Sequence, residues 1–331
     1  MADNTQIEWT DATWNPITGC SVTSPGCTNC YAMQLAGTRL KHAPSRKGLT
    51  QPSKAGPVWT GEVRFNEHEL LKPLRWKRPR MIFVCAHGDL FHESVPDEWI
   101  DRVFAVMALS PQHTFQVLTK RSARMREYFG HEDRHRAVMV MMLLTAAKDL
   151  WLDTMALNVA ALRIANPWPL PNVWLGVSVE DQQRADERIP DLLATPAAVR
   201  WISAEPLLGP ISIIDAMWAR DHIVVLDETL DWVVAGGESG SKARPMHPDW
   251  ARCLRDQCAA AAVPFFFKQW GEYHPADQLK NADQIAAMGE MGTALRSGAA
   301  HSFEDQWTWK IGKKRAGRLL DGVEHNGMPV Q

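Results

Sequence analysis

Val173-Trp-Leu-Gly-Val-Ser-Val-Glu180 runs into Asp181-Gln-Gln-Arg-Ala-Asp-Glu-Arg-Ile-Pro-Asp-Leu-Leu193, and then into Val199-Arg-Trp-Ile-Ser203-Ala-Glu205. A short, nearly continuous apolar run ends on an acid, a segment with apolar residues at helical spacing follows, and a second apolar run begins. Strands covered on both faces read this way, and strands alternating with helices form parallel sheets. Five further runs carry the same signature: a weak one at Thr13 to Ile17, then Met81 to Cys85, Thr114 to Thr119, Trp232 to Ala235 and Val263 to Phe267. Helices are expected at Pro96 to Leu109, where Pro and acids open the first turn, and at Pro248 to Ala262. The predicted fold class is α/β, a parallel (β/α) barrel, as a partial TIM barrel of six or seven strands with a helical insertion.

The residues at the strand ends carry the functional expectation. The runs lead in turn to a cysteine-rich loop, Asp89, Lys120, Glu180, Glu205, Glu238 and Lys268. Polar groups gathered at the C-terminal ends of parallel strands mark the face on which α/β barrels carry their active sites. One barrel domain over 1–331 is expected, with a helical insertion at 131–166 and an extension at 271–331 packing on the barrel. The Met- and Leu-rich stripe of the insertion reads as core or interface. Ala43 to Gly61 reads as a long loop, and Ala276 to Ser302 as a polar, glycine-interrupted region.

Composition narrows the class of protein. The apolar and charged fractions, 45% and 22%, are those of folded globular chains. Fifteen Trp residues, many beside expected strands, point to packing rather than base stacking. A net charge of −2 gives no general attraction to phosphate backbones, although Lys72 to Arg80 and Lys310 to Arg318 are local basic stretches. The first residues lack a basic start and an apolar core segment, and no stretch is long enough to span a bilayer, so a cytoplasmic protein without a membrane partner is expected. In a reducing compartment, six cysteines are better read as metal ligands or redox groups than as a disulfide framework.

Three of the six lie in Gly19-Cys20-Ser-Val-Thr-Ser-Pro-Gly-Cys27-Thr-Asn-Cys30. Cys27 and Cys30 form a C-x-x-C turn, and Gly19, Pro25 and Gly26 let the chain fold back to bring in Cys20. Three thiolates with no adjacent fourth ligand suit a [4Fe-4S] cluster that keeps one iron open for S-adenosylmethionine. A closed zinc site is the alternative, and it would have to borrow Cys85, Cys253, Cys258 or a histidine from far along the chain.

Ile7-Glu-Trp-Thr, Trp14-Asn-Pro, Gly26-Cys-Thr-Asn-Cys-Tyr-Ala, Asp89-Leu-Phe-His, Leu118-Thr-Lys-Arg, Gly176-Val-Ser-Val-Glu, Ser203-Ala-Glu-Pro-Leu, Gly236-Gly-Glu-Ser-Gly, Phe265-Phe-Phe-Lys-Gln-Trp-Gly and Gly317-Arg-Leu-Leu-Asp-Gly are distributed over nearly the whole chain. In these segments the chain resembles the phage Gp37/Gp68 family, also called DUF5131. The three-cysteine loop is similar to that of radical-SAM proteins, with a first gap of six residues in place of their usual three. That resemblance implies a radical-SAM enzyme that cleaves S-adenosylmethionine and abstracts hydrogen from a substrate. It implies Cys20, Cys27 and Cys30 as metal ligands, and Asp89, Ser178, Glu180, Gly236, Gly237 and Glu238 as cofactor-binding positions. Lys120, Glu205, Arg244 and Lys268 are the catalytic candidates. The implied partners are an electron donor such as flavodoxin or ferredoxin, a nucleobase, nucleotide or nucleic acid as substrate, and a partner protein. A non-catalytic, metal-stabilised phage or mobile-element interaction protein is the alternative function.

Overall fold

The computed structural model describes residues 5, 7–131, 133–149, 168–218, 229–279, 282–288, 293–294 and 297–330. Seven strands form one sheet: β1 (Ala12–Trp14), β2 (Met81–Val84), β3 (Thr114–Thr119), β4 (Val173–Ser178), β5 (Val199–Ala204), β6 (Trp232–Gly236) and β7 (Phe265–Gln269). Their order across the sheet is their order along the chain. The registered neighbours β1–β2, β2–β3, β3–β4, β5–β6 and β6–β7 all run parallel. A sheet in which each crossover moves one place in the same direction is wound one way, unlike a doubly wound sheet whose order reverses at a switch point. The α/β class and the parallel sheet expected from the sequence are therefore found.

The boundaries differ where backbone chemistry intervenes. β1 stops at Trp14, and after Pro16 the chain turns to pair Ile17–Thr18 antiparallel with Arg64–Phe65. Cys85 lies outside β2, at a φ of 56°. β7 begins at Phe265, after Pro264, which has no N–H to give and whose carbonyl accepts from Val233 N at 3.0 Å. The helices span Asp97–Ala108, Gln182–Leu193 and Pro248–Ala260. Two expected loops hold more structure than their glycines and prolines suggest. Thr50–Ser53 and Gly56–Trp59 form an antiparallel hairpin within the 43–61 stretch. Beyond β7, Tyr273–Pro275, Trp307–Lys310 and Ala300–Ser302 form a three-stranded antiparallel sheet.

The chain divides into two compact units, one comprising Met1–Thr23, Cys30–Val177 and Asp191–Arg200, the other Ser24–Asn29, Ser178–Pro190 and Trp201–Gln331. In the first, Trp14 packs against Phe115 at 5.6 Å, and Phe104, Tyr128 and Phe129 form a cluster of edge and tilted contacts. The Arg134–Asp149 helix carries the described part of the expected insertion, and residues 150–166 lie outside the described residues. Its Val138, Met139 and Met142 are buried, so this part of the apolar stripe is core. At its start Arg134 pairs with Asp101 at 3.0 Å and Asp97 at 2.6 Å, and its guanidinium lies 4.2 Å from the Tyr128 ring centre. In the second unit, Trp201 and Trp232 lie 5.2 Å apart and Phe267 meets Trp270 edge-on at 4.9 Å. Trp14, Trp201, Trp232, Trp270 and Trp309 are among the largest fully buried side chains, which accounts for much of the tryptophan content by packing.

Candidate metal and cofactor site at the cysteine loop

The first unit holds Cys20 and Cys30, both half-buried, against a small core of Ala32, Met33, Ala36, Leu49 and Trp59. Cys30 sits at the start of the Tyr31–Gly37 helix. Cys20 is fixed by Arg121, from the segment after β3. Arg121 Nη1 donates to Cys20 Sγ at 3.2 Å and to Asp89 Oδ2 at 3.1 Å, while Nη2 donates to Ser21 Oγ at 2.7 Å and Ser21 O at 3.1 Å. Its Nε reaches Glu93 at 3.3 Å. Burial alone would lower the Arg121 pKa, but the charges of Asp89, Cys20 and Glu93 carry it above the ordinary value. A guanidinium so placed is a permanent cation aimed at a sulfur, and hydrogen bonds to ligating sulfurs tune metal centres.

Asp89 organises this network. Oδ1 accepts from Thr119 Oγ1 at 2.7 Å and Phe91 N at 3.0 Å, and Oδ2 accepts from Lys120 N at 3.2 Å as well as from Arg121. The expected cofactor carboxylate thus has both oxygens committed to the chain. Lys120 enters through its backbone N–H. His92 is engaged at both ring nitrogens, Nε2 with Ser21 Oγ at 3.0 Å and Nδ1 with Ser94 N at 3.1 Å.

The second unit holds Cys27, buried at the end of the Pro25–Cys27 turn of 3-10 helix, with its sulfur 3.9 Å from Ser24 Oγ. Glu180, fully buried after β4, accepts from Gly26 N at 3.1 Å and from Arg188 Nη1 at 3.0 Å, and the same Arg188 nitrogen donates to Ser178 O at 2.7 Å. A Cβ on Gly26 would stand 3.0 Å from the Glu180 carboxylate, close enough that the acid would have to give by a few tenths of an ångström. Glu238, after β6, accepts from Asn29 Nδ2 at 2.9 Å and from three nitrogens of Arg244, at 2.8 Å, 2.9 Å and 2.6 Å. Arg244 Nη1 also donates to Pro25 O at 3.0 Å. Burial alone would raise the Glu238 pKa, but the hydrogen bonds from Arg244 and Asn29 hold it below the usual carboxylate value. The signature acids at 180 and 238 therefore grip the residues on either side of Cys27.

A third group lies at the ends of β5 to β7. Lys268, placed within β7 rather than after it, donates from Nζ to Glu205 Oε1 at 2.7 Å. Gln269 Nε2 donates to Gly237 O at 3.3 Å and reaches the same Glu205 oxygen at 3.5 Å, and a Cβ on Gly236 would stand 3.4 Å from it. The geometry thus joins Glu205, Lys268, Gly236 and Gly237 in one cluster, Glu238 and Arg244 in another, and Asp89, Lys120 and Cys20 in a third. Sequence reading missed Arg121, Arg188 and Asn29. Arg121 stands in the Leu118-Thr-Lys-Arg segment beside Lys120, and Arg188 lies on a helix with no motif to mark it. Arg75, Lys77 and Arg78 of the first basic stretch are exposed, as are Lys313, Lys314 and Arg315 of the second.

His87, after β2, gives a pH expectation. Burial, and then the charges of Arg46 and Arg39, depress its pKa to about 4, against about 6.5 unfolded. Between these values the unfolded chain binds the proton and the folded chain does not, so stability is complete above pH 6.5 and is lost as the pH falls toward 4. At 1.36 kcal/mol per unit, and discounted because the residue is only half-buried, the loss is roughly 1–3 kcal/mol. Denaturant unfolding from pH 7.5 to 4.5 should show it, and H87Q should flatten the profile; an unchanged slope in H87Q would remove His87 as its source.

No described helix is long and apolar enough to cross a membrane. No curated protein and no solved structure matches the chain. The family profile described as "Protein of unknown function (DUF5131)" matches over residues 4–329. The motifs quoted from the sequence and the side chains that grip the cysteine loop lie within that span, and the chain belongs to the DUF5131 family.

Proposed function

We propose that the protein is a radical-SAM-type enzyme in which Cys20, Cys27 and Cys30 hold a [4Fe-4S] cluster, and that its parallel sheet is a partial (β/α) barrel. The observation that carries this reading is the hydrogen bond from the buried Arg121 guanidinium to Cys20 Sγ at 3.2 Å. It is one of several buried charged contacts, from residues far along the chain, that fix the short cysteine segment. A loop serving only as a connection has no need of Arg121, Glu180, Glu238 and Arg244, whereas a loop that must deliver three sulfurs to one centre does.

The donor set fits the group. Three thiolates suit an iron–sulfur cluster and leave one position for a further ligand, and both nitrogens of nearby His92 are already bonded within the chain. When bound, the cluster would supply one electron to S-adenosylmethionine, whose cleavage to methionine and a 5′-deoxyadenosyl radical allows hydrogen abstraction from a substrate. The chain's own residues have separate tasks. Arg121 donates to Cys20 Sγ and balances its negative charge, Glu180 holds the backbone N–H of Gly26, Glu238 holds the Asn29 side chain and Arg244, and Asp89 orients Arg121. Lys268 and Glu205, one cationic and one anionic at the ends of β7 and β5, are positioned to bind a polar substrate or to exchange a proton with it.

Anaerobic purification should give brown protein with about four iron and four sulfide per chain, the content of one cubane cluster. Alanine at Cys20, Cys27 or Cys30 should abolish it, while alanine at Cys85, Cys253 or Cys258 should not. Reduced protein should release 5′-deoxyadenosine from S-adenosylmethionine. Stoichiometric zinc without iron would replace this reading with the metal-stabilised interaction protein.

A further inference from the structure

Residues 38–64 carry Arg39, Lys41, Arg46, Lys47, Lys54 and Arg64 against a single acid, Glu62, in a chain whose net charge is −2. Glycines and prolines space these cations along the sequence, and folding gathers them into one layer of the first unit. Leu40 N donates to Leu35 O at 2.8 Å, Lys47 N to Ala43 O at 2.9 Å and Thr60 N to Leu49 O at 3.0 Å, so the turns of 38–49 lead back to the base of the 50–59 hairpin. Thr18 Oγ1 donates to Ser45 O at 2.7 Å and Arg64 Nη1 to Pro44 O at 2.6 Å, which ties the turns to the strand entering Cys20. The hairpin lies along the Tyr31–Gly37 helix: a Cβ on Gly56, near its tip, would stand 3.4 Å from the Gln34 amide, and Gln34 N donates to Cys30 O at 3.1 Å. The inner side of the layer, Leu49 and Trp59, belongs to the core on which Cys20 and Cys30 pack.

The outer side is cationic. Arg39, Lys41, Lys47 and Lys54 are exposed, and none of the four has an ion-pair partner among the described residues. The tip that carries Lys54 is a fixed turn, since Ser53 Oγ donates to Gly56 O at 2.7 Å and accepts from Ala55 N at 3.2 Å. Like charges held in one layer repel one another, and a polyanion relieves that repulsion while releasing its own counterions. No large apolar side chain of 38–64 is exposed, so this side lacks the apolar centre that a protein partner would cover. Tyr31, next to Cys30, is 52% exposed, with its hydroxyl anchored to Ala86 O at 2.6 Å. An aromatic ring fixed beside unpaired cations is the combination that holds single-stranded nucleic acid, with phosphates on the charges and a base stacked on the ring.

We propose that this face of the first unit binds a single-stranded nucleic acid, its phosphates on Arg39, Lys41, Lys47 and Lys54 and one base on Tyr31. A duplex keeps its bases in the stack and gains nothing from the ring. That the bound strand, delivered beside Cys20 and Cys30, is the substrate of the proposed enzyme rests on that reading; the binding surface does not.

The test is a salt series of anisotropy titrations of the full-length protein with labelled single-stranded DNA and RNA oligonucleotides of mixed sequence and with their duplexes, beside sedimentation with phosphatidylserine vesicles. A single strand should bind more tightly than its duplex. R39Q/K41Q/K47Q/K54Q should weaken that binding at least about tenfold and lower the slope of log affinity against log salt by about three, the counterions of four single-strand phosphates. Y31L should weaken it about fivefold or more and leave the slope unchanged. R75Q/K77Q/R78Q is the control: these exposed cations precede β2, at the end of the sheet away from Cys20, and binding should stay within about twofold of wild type. All three variants alter exposed side chains, and unchanged melting temperatures confirm that they fold. No saturable binding of any oligonucleotide, tighter binding of duplex, equal weakening by the control variant, or capture by vesicles in place of oligonucleotides overturns the proposal. The titrations read binding whether or not iron is present, so strand binding by protein that holds no cluster overturns the enzyme and supports this surface.

Discussion

Replacing Glu238 by alanine is expected to strip most of the iron and sulfide of the proposed cluster from the purified protein, although all three cysteines remain. The Glu238 carboxylate accepts four hydrogen bonds, three from Arg244 and one from Asn29, which lies between Cys27 and Cys30. Removing it leaves the Arg244 guanidinium facing an apolar methyl group and frees the Asn29 side chain from one of its two anchors, the other being Lys242 O at 2.9 Å. Breaking a buried ion pair from one side costs about 3–5 kcal/mol; Arg244 is partly exposed, so roughly 2–3 kcal/mol is expected here. That energy is lost locally, from the segment that presents Cys27, and metal affinity falls with it because an unfixed ligand loop pays its ordering entropy on binding. Iron and sulfide per chain, measured beside the melting temperature, separate this from general unfolding. A variant that keeps full metal but binds S-adenosylmethionine poorly would return Glu238 to the cofactor-binding role that its motif implies.

Alanine at Gly237 is expected to prevent folding of the second unit or to destabilise it severely. The sequence makes Gly236-Gly-Glu-Ser-Gly a loop whose bare backbone could approach a cofactor. The structure fills that space with the chain itself: a Cβ on Gly237 would stand 2.0 Å from the Trp270 carbonyl oxygen, and Gly237 N donates to Gln269 O at 2.9 Å. The opposing atom is backbone, followed by Gly271 at a φ of 79°, so relief needs a shift of the segment after β7. Overpacking of this kind typically costs 1–3 kcal/mol, and a clash with backbone lies at or above the top of that range, about 3 kcal/mol or more. Soluble yield and a denaturation curve of G237A decide it. Wild-type stability together with loss of cofactor binding would show that the glycine serves a ligand after all.

The sequence by itself determined the α/β class, the parallel order of strands and the place of the cysteine loop. Each of these rests on local chemistry: apolar runs at strand length, helix-starting prolines and acids, and three cysteines within eleven residues. Family membership was legible too, because its motifs extend along the chain and the family profile covers residues 4–329. The hairpin at 50–59 was hidden, since its glycine and prolines signal loop while Leu49 and Trp59 earn their burial only against the 31–37 helix.

Tertiary structure alone shows which donors the acids at the strand ends meet. A carboxylate reads the same in sequence whether it faces a ligand or the chain's own nitrogens, and its role is set by which donors arrive from distant positions. Arg188 and Gly26 meet Glu180, Arg244 and Asn29 meet Glu238, and Thr119 and Arg121 meet Asp89.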